Sequence, residues 1–235
     1  MAHLHRFHIP EGFRAGVPCE LPAGEAHHAR RVVRLHAGDE VALFDGAGLE
    51  GEGRVAHIDK RSVRIEVDAT ARRDAPPARL TLAQACLNRE APMEELIHHG
   101  TALGVTRFAF FRGDHSERPP KRPDKWERWA VEACKQCGRP WLPEFAYHET
   151  LGDALRREAS PCFFAEPGGS GAPSPVDAAT LIVGPEGGLS EAELDLARRS
   201  GARALGLGPH MLRSELAAIV GSTVLLGAMD ALGPR

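Results

Sequence analysis

Short runs of apolar residues, separated by turn residues, occupy the first part of the chain. Apolar side chains dominate 41–44, occur within 51–58 and recur at alternate positions over 62–67, with Asp45-Gly46, Gly48 and Asp59-Lys60 between these runs. A period of two is typical of half-buried strands, and short strands at this spacing predict a small barrel. The preceding segment 27–35, HHARRVVRL, predicts a short helix or turn that carries three arginines.

The pattern changes at residues 72–77, where the sequence RRDAPP is typical of a linker. Beyond it, apolar runs predict strands at 80–87, 107–111, 162–165 and 181–183, and longer segments predict helices at 93–103 and 124–137. Strands that alternate with helices predict a parallel sheet with helices on both faces. We therefore predict two domains, a β-barrel over 1–72 and an α/β domain over 73–235.

Two glycine-rich loops stand out in the second half of the chain. In LIVGPEGGLS, residues 181–190, a buried strand runs into a loop, and Ser190 with Glu193 forms a capping-box pattern that predicts a helix to Gly201. In LGLGPHMLRSE, residues 205–215, a second loop follows a predicted strand at 202–207 and leads into an apolar helix that ends near Leu232. Loops at the carboxyl ends of parallel strands are where α/β sheets bind ligands. A tight strand-to-helix turn without a ligand is the alternative for either loop alone.

Composition narrows the class of protein. Lys and Arg number 29 against 32 Asp and Glu, for a formal net charge of -3, so an RNA site would have to be a local basic patch. The five cysteines are odd in number and scattered, and the His-rich N-terminus does not resemble a secretory signal, which predicts a cytoplasmic protein with reduced thiols. The apolar stretch 216–232 contains Ser222, Thr223 and Asp230, and therefore predicts a core helix and no membrane span.

No metal site is expected. Cys134 and Cys137 lack a second pair at similar spacing, and the twelve histidines form neither an HxxxH nor an HExxH pattern.

The two loop motifs together resemble the closing motifs of the SPOUT methyltransferases, and most closely those of the RsmE family, which makes 3-methyluridine in small-subunit ribosomal RNA. HHARRVVRLHAGDEVALFDGAG is similar to the PUA-like N-terminal domain of that family, EACKQCGR resembles its EAxxQxxR motif, and SER at 116–118 matches another. The chain departs from the family pattern at His99 and Ala102, which replace a lysine and a glutamate. A milder departure is Arg89 for a lysine. In the last motif, Ser214 and Leu216 replace the two threonines of ILRTETA.

The resemblance implies a C-terminal α/β knot, a deep trefoil that binds S-adenosylmethionine, and a homodimer formed through the last helix. Arginines of the barrel and of the two shorter motifs are expected to contact ribosomal RNA of the small subunit: Arg30, Arg31, Arg34, Arg118 and Arg139. The cofactor is expected to contact mainly backbone of the loops that follow three strands: Phe164, Ala165, Glu166, Gly184, Pro185, Glu186, Gly187, Gly188, Leu205, Gly206, Leu207, Gly208, Met211 and Leu212.

Methylation of uridine N3 requires removal of its proton and stabilisation of the uracil anion. Arg213, beside the second loop, is the candidate cation, and Glu186 and Glu215 are candidate proton acceptors, although either could instead brace the loops. Two other functions remain open. One is a SPOUT enzyme of another specificity, such as a ribose 2′-O-methyltransferase, and the other is a non-catalytic RNA-binding or ribosome-assembly protein.

Overall fold

A computed structural model describes residues 4–117, 124–158, 161–169, 173 and 176–233. The chain forms two compact units, Met1–Ala75 with Cys134–Leu142, and Pro76–Ala133 with Pro143–Arg235. Nothing in the sequence pattern indicated that 134–142 would join the first unit.

The first unit is a five-stranded sheet curled around an apolar core. Its strands lie in the order β1-β3-β4-β5-β2, with β1 parallel to β3 and the other neighbours antiparallel. Val63, Ile65 and Val67 alternate with exposed residues and point into the core, and register shifts between β4 and β5 add curvature. The elements are β1 (His5–His8), β2 (Cys19–Glu20), α1 (Ala23–His28), a π-helical turn (Ala29–Val33), β3 (Glu40–Phe44), β4 (Leu49–Ile58) and β5 (Val63–Arg72).

The segment 134–142 is tied to this sheet by main-chain and charged contacts. Leu142 N donates to Gly46 O at 2.9 Å, and Gly48 N donates to Pro140 O at 3.2 Å. Buried Lys135 pairs with Glu25 at 3.2 Å. These contacts explain why the segment belongs to the first unit.

The second unit is a six-stranded sheet in the order β11-β9-β10-β6-β7-β8, and every neighbouring pair is parallel. The expected α/β class, a curled N-terminal sheet followed by a parallel sheet, is confirmed. The elements are β6 (Arg79–Ala85), α2 (Glu90–Leu103), β7 (Arg107–Phe111), α3 (Asp124–Cys137), β8 (Glu144–His148), α4 (Leu151–Arg157), β9 (Cys162–Ala165), β10 (Ala178–Val183), α5 (Glu191–Arg199), β11 (Arg203–Leu205) and α6 (Ser214–Ala228).

Helices cover both faces of the parallel sheet. On one face Ala83, Phe111 and Ile182 pack with residues of α4 and α5. On the other face α6 contacts β6, β9 and β10, as well as α2. Strand β6 is buried from Leu80 to Ala85 because it has a strand on either side and a helix layer above and below.

Several elements differ from the sequence prediction. Strands β1, β2 and β8 and helix α4 were not predicted, because each is short and has polar or charged residues among its few positions. The strand expected at 202–207 stops at Leu205, which leaves Gly206 and Leu207 in the loop. Helix α6 ends at Ala228, short of Leu232, because Asp230 takes a left-handed φ of 55° and Ala231 N bonds Leu226 O.

Candidate active site

Three loops meet at one edge of the parallel sheet. They follow β9, β10 and β11, whose carboxyl ends lie side by side because these strands are parallel neighbours. Together with the first turn of α6 they enclose a cavity. Its lining is Ala165, Glu166, Pro167, Val183, Gly184, Pro185, Glu186, Gly188, Leu189, Leu207, Gly208, His210, Met211, Leu212, Ser214 and Ala217.

Most of the residues predicted to bind a cofactor lie around this cavity, and four do not. Ala165, Glu166, Gly184, Pro185, Glu186, Gly188, Leu207, Gly208, Met211 and Leu212 line it. Phe164 and Leu205 are core residues, 0% and 1% exposed, while Gly187 and Gly206 shape the loops without lining the cavity. Six lining residues were not predicted, among them His210 and Ser214. The binding roles themselves stay predictions.

The loops after β9 and β11 touch each other through glycine main chain. A Cβ built on Gly206 would collide with the carbonyl oxygen of Gly169. Glu166 N also donates to Leu205 O at 3.2 Å. Gly206 is therefore required by close approach of two loops.

A buried polar cluster lies beneath the cavity. Gln84, fully buried on β6, donates from Nε2 to Gly184 O at 3.1 Å and to Ser214 Oγ at 2.9 Å. The Ser214 hydroxyl donates to the same Gly184 carbonyl at 2.5 Å. The cluster joins the start of α6 to the loop after β10. Sequence reasoning missed Gln84, although a glutamine within a largely apolar strand was a signal for it.

The capping box of α5 is present, and it extends to a neighbouring loop. Ser190 Oγ accepts from Glu193 N at 3.2 Å, and Glu193 Oε2 accepts from Ser190 N at 2.8 Å. The other oxygen of Glu193 accepts from Asp114 N at 3.1 Å, in the loop after β7. One buried carboxylate thus fixes two loops at the carboxyl edge of the sheet.

The three predicted catalytic residues lie in different surroundings. Glu186 is exposed, lines the cavity and accepts a hydrogen bond from Asn88 N at 3.0 Å. Arg213 is exposed, and its main chain is the N-cap of α6. Glu215 is half-buried in the first turn of α6, and neither it nor Arg213 lines the cavity.

The predicted RNA-binding arginines divide into engaged and exposed side chains. Arg30 donates from Nε to Ala26 O at 3.0 Å and from Nη1 to the carbonyls of Asp59 and Lys60. Arg31 and Arg34 are exposed, and Arg34 has a left-handed φ of 61° at the end of the π-helical turn. Arg139 belongs to the first unit, where burial lowers the pKa of its guanidinium. Arg118 lies outside the described residues.

Among the described residues, no group of three or more His, Cys, Asp or Glu side chains is arranged to hold a metal ion. In the same part of the chain, no helix combines the length and apolar character needed to cross a membrane.

Two domain families match the chain. The family described as "RNA methyltransferase domain" matches residues 74–226, and the one described as "RNA methyltransferase PUA domain" matches residues 21–68. The first match alone covers more than half of the chain. This chain belongs to the RNA methyltransferase domain family. The expected RNA methyltransferase family and its PUA domain are thereby confirmed.

Curated relatives and solved structures agree with this membership. The chain is 28% identical over 234 residues to "Ribosomal RNA small subunit methyltransferase E" of Aquifex aeolicus, which covers 95% of this chain and 99% of the relative. Its counterpart in Synechocystis is 28% identical over 90% of this chain and 72% of the relative. A Neisseria gonorrhoeae ribosomal RNA small subunit methyltransferase E, solved with S-adenosyl methionine bound, superposes with a TM-score of 0.83 at 27% identity, over 96% of this chain and 98% of that one. A Legionella pneumophila protein in complex with the same cofactor reaches 0.89 at 27% identity, again over 96% and 98%.

Proposed function

We propose that this protein transfers the methyl group of S-adenosylmethionine to N3 of a uridine in small-subunit ribosomal RNA. The observation that carries the proposal is the cavity formed by the loops after β9, β10 and β11 in a chain of this methyltransferase family. Relatives that match nearly the whole chain are named ribosomal RNA small subunit methyltransferase E, and two structural neighbours contain the cofactor.

The residues around the cavity fit such a cofactor. Glycine main chain at Gly184, Gly188 and Gly208 offers close approach and polar groups, and Val183, Leu207 and Leu212 offer apolar surface for a nucleobase. A Cβ on Gly188 would meet nothing within 4 Å, so open space adjoins this loop. When bound, the cofactor supplies an electrophilic methyl carbon on a sulfonium.

The residues of the chain then have to place the uridine and manage its charge. Arg213, exposed beside the second loop, is suited to stabilise the anion that develops on uracil. The sequence predicts Glu186 and Glu215 as possible acceptors for the N3 proton, and Glu186 already accepts the Asn88 N–H. A uridine within structured RNA would have to leave its stack to reach this edge of the sheet.

RNA binding is proposed for the basic residues of the first unit together with Arg118. Arg31 and Arg34 have exposed side chains suited to phosphate contacts, whereas the donors of Arg30 already serve main-chain carbonyls. Arg139 completes the predicted set. Because ribosomal RNA is the proposed substrate, a cytoplasmic location follows from the same proposal.

A homodimer and a trefoil knot also belong to the proposal. Helix α6 exposes Leu216 and Val224, which are 47% and 37% accessible, and such apolar positions suit a helix that packs against a second copy. We keep 1–72 and 73–235 as the proposed domain boundaries. Light scattering at micromolar concentration should give a dimer, and a fully active monomer would contradict that part.

Two measurements test the function. Calorimetry should detect S-adenosylmethionine binding to the purified protein without added metal. Mass analysis of ribosomal RNA nucleosides should show 3-methyluridine lost from the small subunit of a deletion strain and restored by the intact gene. Loss of a 2′-O-methylnucleoside would instead identify the ribose enzyme, and unchanged nucleosides would identify a non-catalytic protein. The Arg213→Gln variant should lower the turnover of methylation more than it lowers the affinity for RNA.

A further inference from the structure

The loop after β7 is held rigidly at the carboxyl edge of the parallel sheet. Buried Ser116 accepts from Gly113 N at 3.2 Å and donates to Cys86 O at 3.0 Å. Asp114 accepts the Ser190 hydroxyl at 2.5 Å. The residue between these two anchors is His115, which the sequence analysis did not single out.

The imidazole of His115 has a defined protonation pattern. Its Nδ1 lies 3.1 Å from both Gly187 O and Gly188 O. Carbonyl oxygens only accept hydrogen bonds, so Nδ1 must carry the proton, and in the neutral ring Nε2 keeps its lone pair. The ring is exposed, and a substrate can therefore reach Nε2.

The position of this ring depends on a glycine in the loop after β10. A Cβ on Gly187 would lie 3.1 Å from His115 Cβ, which is too close for an undisturbed contact. The next residue, Gly188, lines the candidate cavity and supplies one of the two carbonyls that hold the ring. The imidazole is therefore hydrogen-bonded to a residue of the cavity wall, although His115 itself is not among the lining residues.

Nearby carboxylates are already committed to other partners. Asp114 accepts from Ser190, Glu193 accepts from two main-chain N–H groups, and Glu186 accepts from Asn88 N. Each bond occupies an oxygen of the carboxylate. The lone pair on Nε2 of His115 lies on the side of the ring away from the two carbonyls that hold Nδ1, and is placed to accept a proton.

We propose that Nε2 of His115, in place of Glu186 and Glu215, accepts the N3 proton of the target uridine, an inference that rests on the proposed methyltransferase function. In the balanced step, N3 gives its proton to Nε2 and takes the methyl group, while the electron pair of the broken carbon–sulfur bond stays on sulfur. The imidazolium then returns its proton to water. The carbonyls of Gly187 and Gly188 hold the ring and stabilise its positive charge.

The decisive variant is His115→Asn. The asparagine Nδ2 can donate to the same carbonyls as Nδ1, so the loop stays braced, but no base remains. We expect turnover on unmethylated small subunits to fall by about 100-fold or more, with S-adenosylmethionine affinity within about two-fold of wild type. His5→Asn, an exposed histidine of the first unit, is the matched control and should leave turnover unchanged.

Two further measurements distinguish a residue that accepts the proton from one that only holds the loop in place. Added imidazole should raise the turnover of His115→Ala in proportion to its concentration, and should not raise that of wild type. Nitrogen NMR of the labelled protein should show one histidine signal with Nδ1 protonated and Nε2 unprotonated, which disappears in His115→Asn. Neither result is expected of a residue that only braces the loop.

Full turnover in His115→Asn, or the opposite tautomer, would overturn the assignment of His115. A loss of cofactor affinity in His115→Asn that parallels the loss of turnover would also overturn it. If wild-type protein fails to methylate small subunits, the proposed function fails first. If wild type methylates small subunits and His115→Asn methylates them equally well, the proposed function stands and only the assignment of His115 is wrong.

Discussion

In the second unit the candidate site consists largely of main chain, whereas in the first unit the predicted RNA contacts are the ends of arginine side chains. The cavity is formed by loops whose positions follow from parallel strands, glycine turns and a buried glutamine. The basic segment 27–35 carries three arginines close together in sequence, in the π-helical turn that follows α1 and at the end of that turn.

This difference decides how well sequence indicates function in each unit. The position of a loop at a strand end is constrained by the strand before it, and the predicted cofactor residues therefore mostly lie around one cavity. An arginine has a long side chain that can turn towards solvent or towards the protein's own carbonyls. Arg30 turns towards carbonyls of the protein, whereas the adjacent Arg31 is exposed to solvent.

The largest effect is expected for Gly206→Ala. The new methyl group would collide with Gly169 O, so the loops after β9 and β11 must separate. We expect cofactor affinity, measured by calorimetry, to fall by about 100-fold or more, because a shift of this kind removes several contacts of about 1 kcal/mol each. Gly227→Ala is the control, since a Cβ on this helical residue meets nothing within 4 Å. Unchanged affinity in folded Gly206→Ala would refute the main-chain description of the site.

Ser214→Ala tests the buried support of that site. The variant removes one donor to Gly184 O, and Gln84 Nε2 loses an acceptor. Unfolding in urea should show a loss of about 1–2 kcal/mol, with a smaller effect on cofactor affinity. Ser200→Ala, at an exposed position after α5, should change stability by less than about 0.5 kcal/mol. Equal effects from the two serines would mean that the cluster does not support the loops.

The arginines of the first unit should respond differently from one another. Arg31→Ala should weaken binding to small-subunit RNA and lower the log–log salt slope by somewhat under about one unit. For Arg34, which has positive φ, Arg34→Asn removes the charge with less backbone strain and should give a similar slope. Arg30→Ala should instead mainly lower stability, because its guanidinium bonds three carbonyls. Identical slopes for wild type and Arg31→Ala would make this turn a structural feature only.

Thiol reactivity provides the smallest test, within the segment 134–142. Burial raises the pKa of Cys134 to about 12, so at pH 8 this thiol stays protonated and should not react. Burial also raises the pKa of Cys19 and of Cys162, whereas Cys137 is exposed. A thiol reagent at pH 8 should therefore label Cys137 first, as read by mass spectrometry, and labelling should disappear in Cys137→Ser. Rapid labelling of Cys134 would show that this segment leaves the first unit in solution.

The sequence by itself determined the class of the fold and the edge of the sheet at which the candidate site lies. The apolar runs of β6, β7, β9 and β10, the capping box at Ser190 and Glu193, and the two glycine-rich loops are local signals, and each was present in the structure. Local signals suffice here because strand burial, capping and turn formation depend on residues a few positions apart. The prediction was weakest for short elements that contain polar or charged residues, such as β8 and α4.

Only the tertiary structure decided which residues far apart in sequence meet. It brought Gln84, Gly184 and Ser214 together, placed Gly169 against Gly206, and fixed His115 to the carbonyls of Gly187 and Gly188. It also joined 134–142 to the first unit and turned Arg30 towards its own carbonyls. These contacts depend on sheet order and on the approach of separate loops, and neither is encoded in the spacing of residues along one segment.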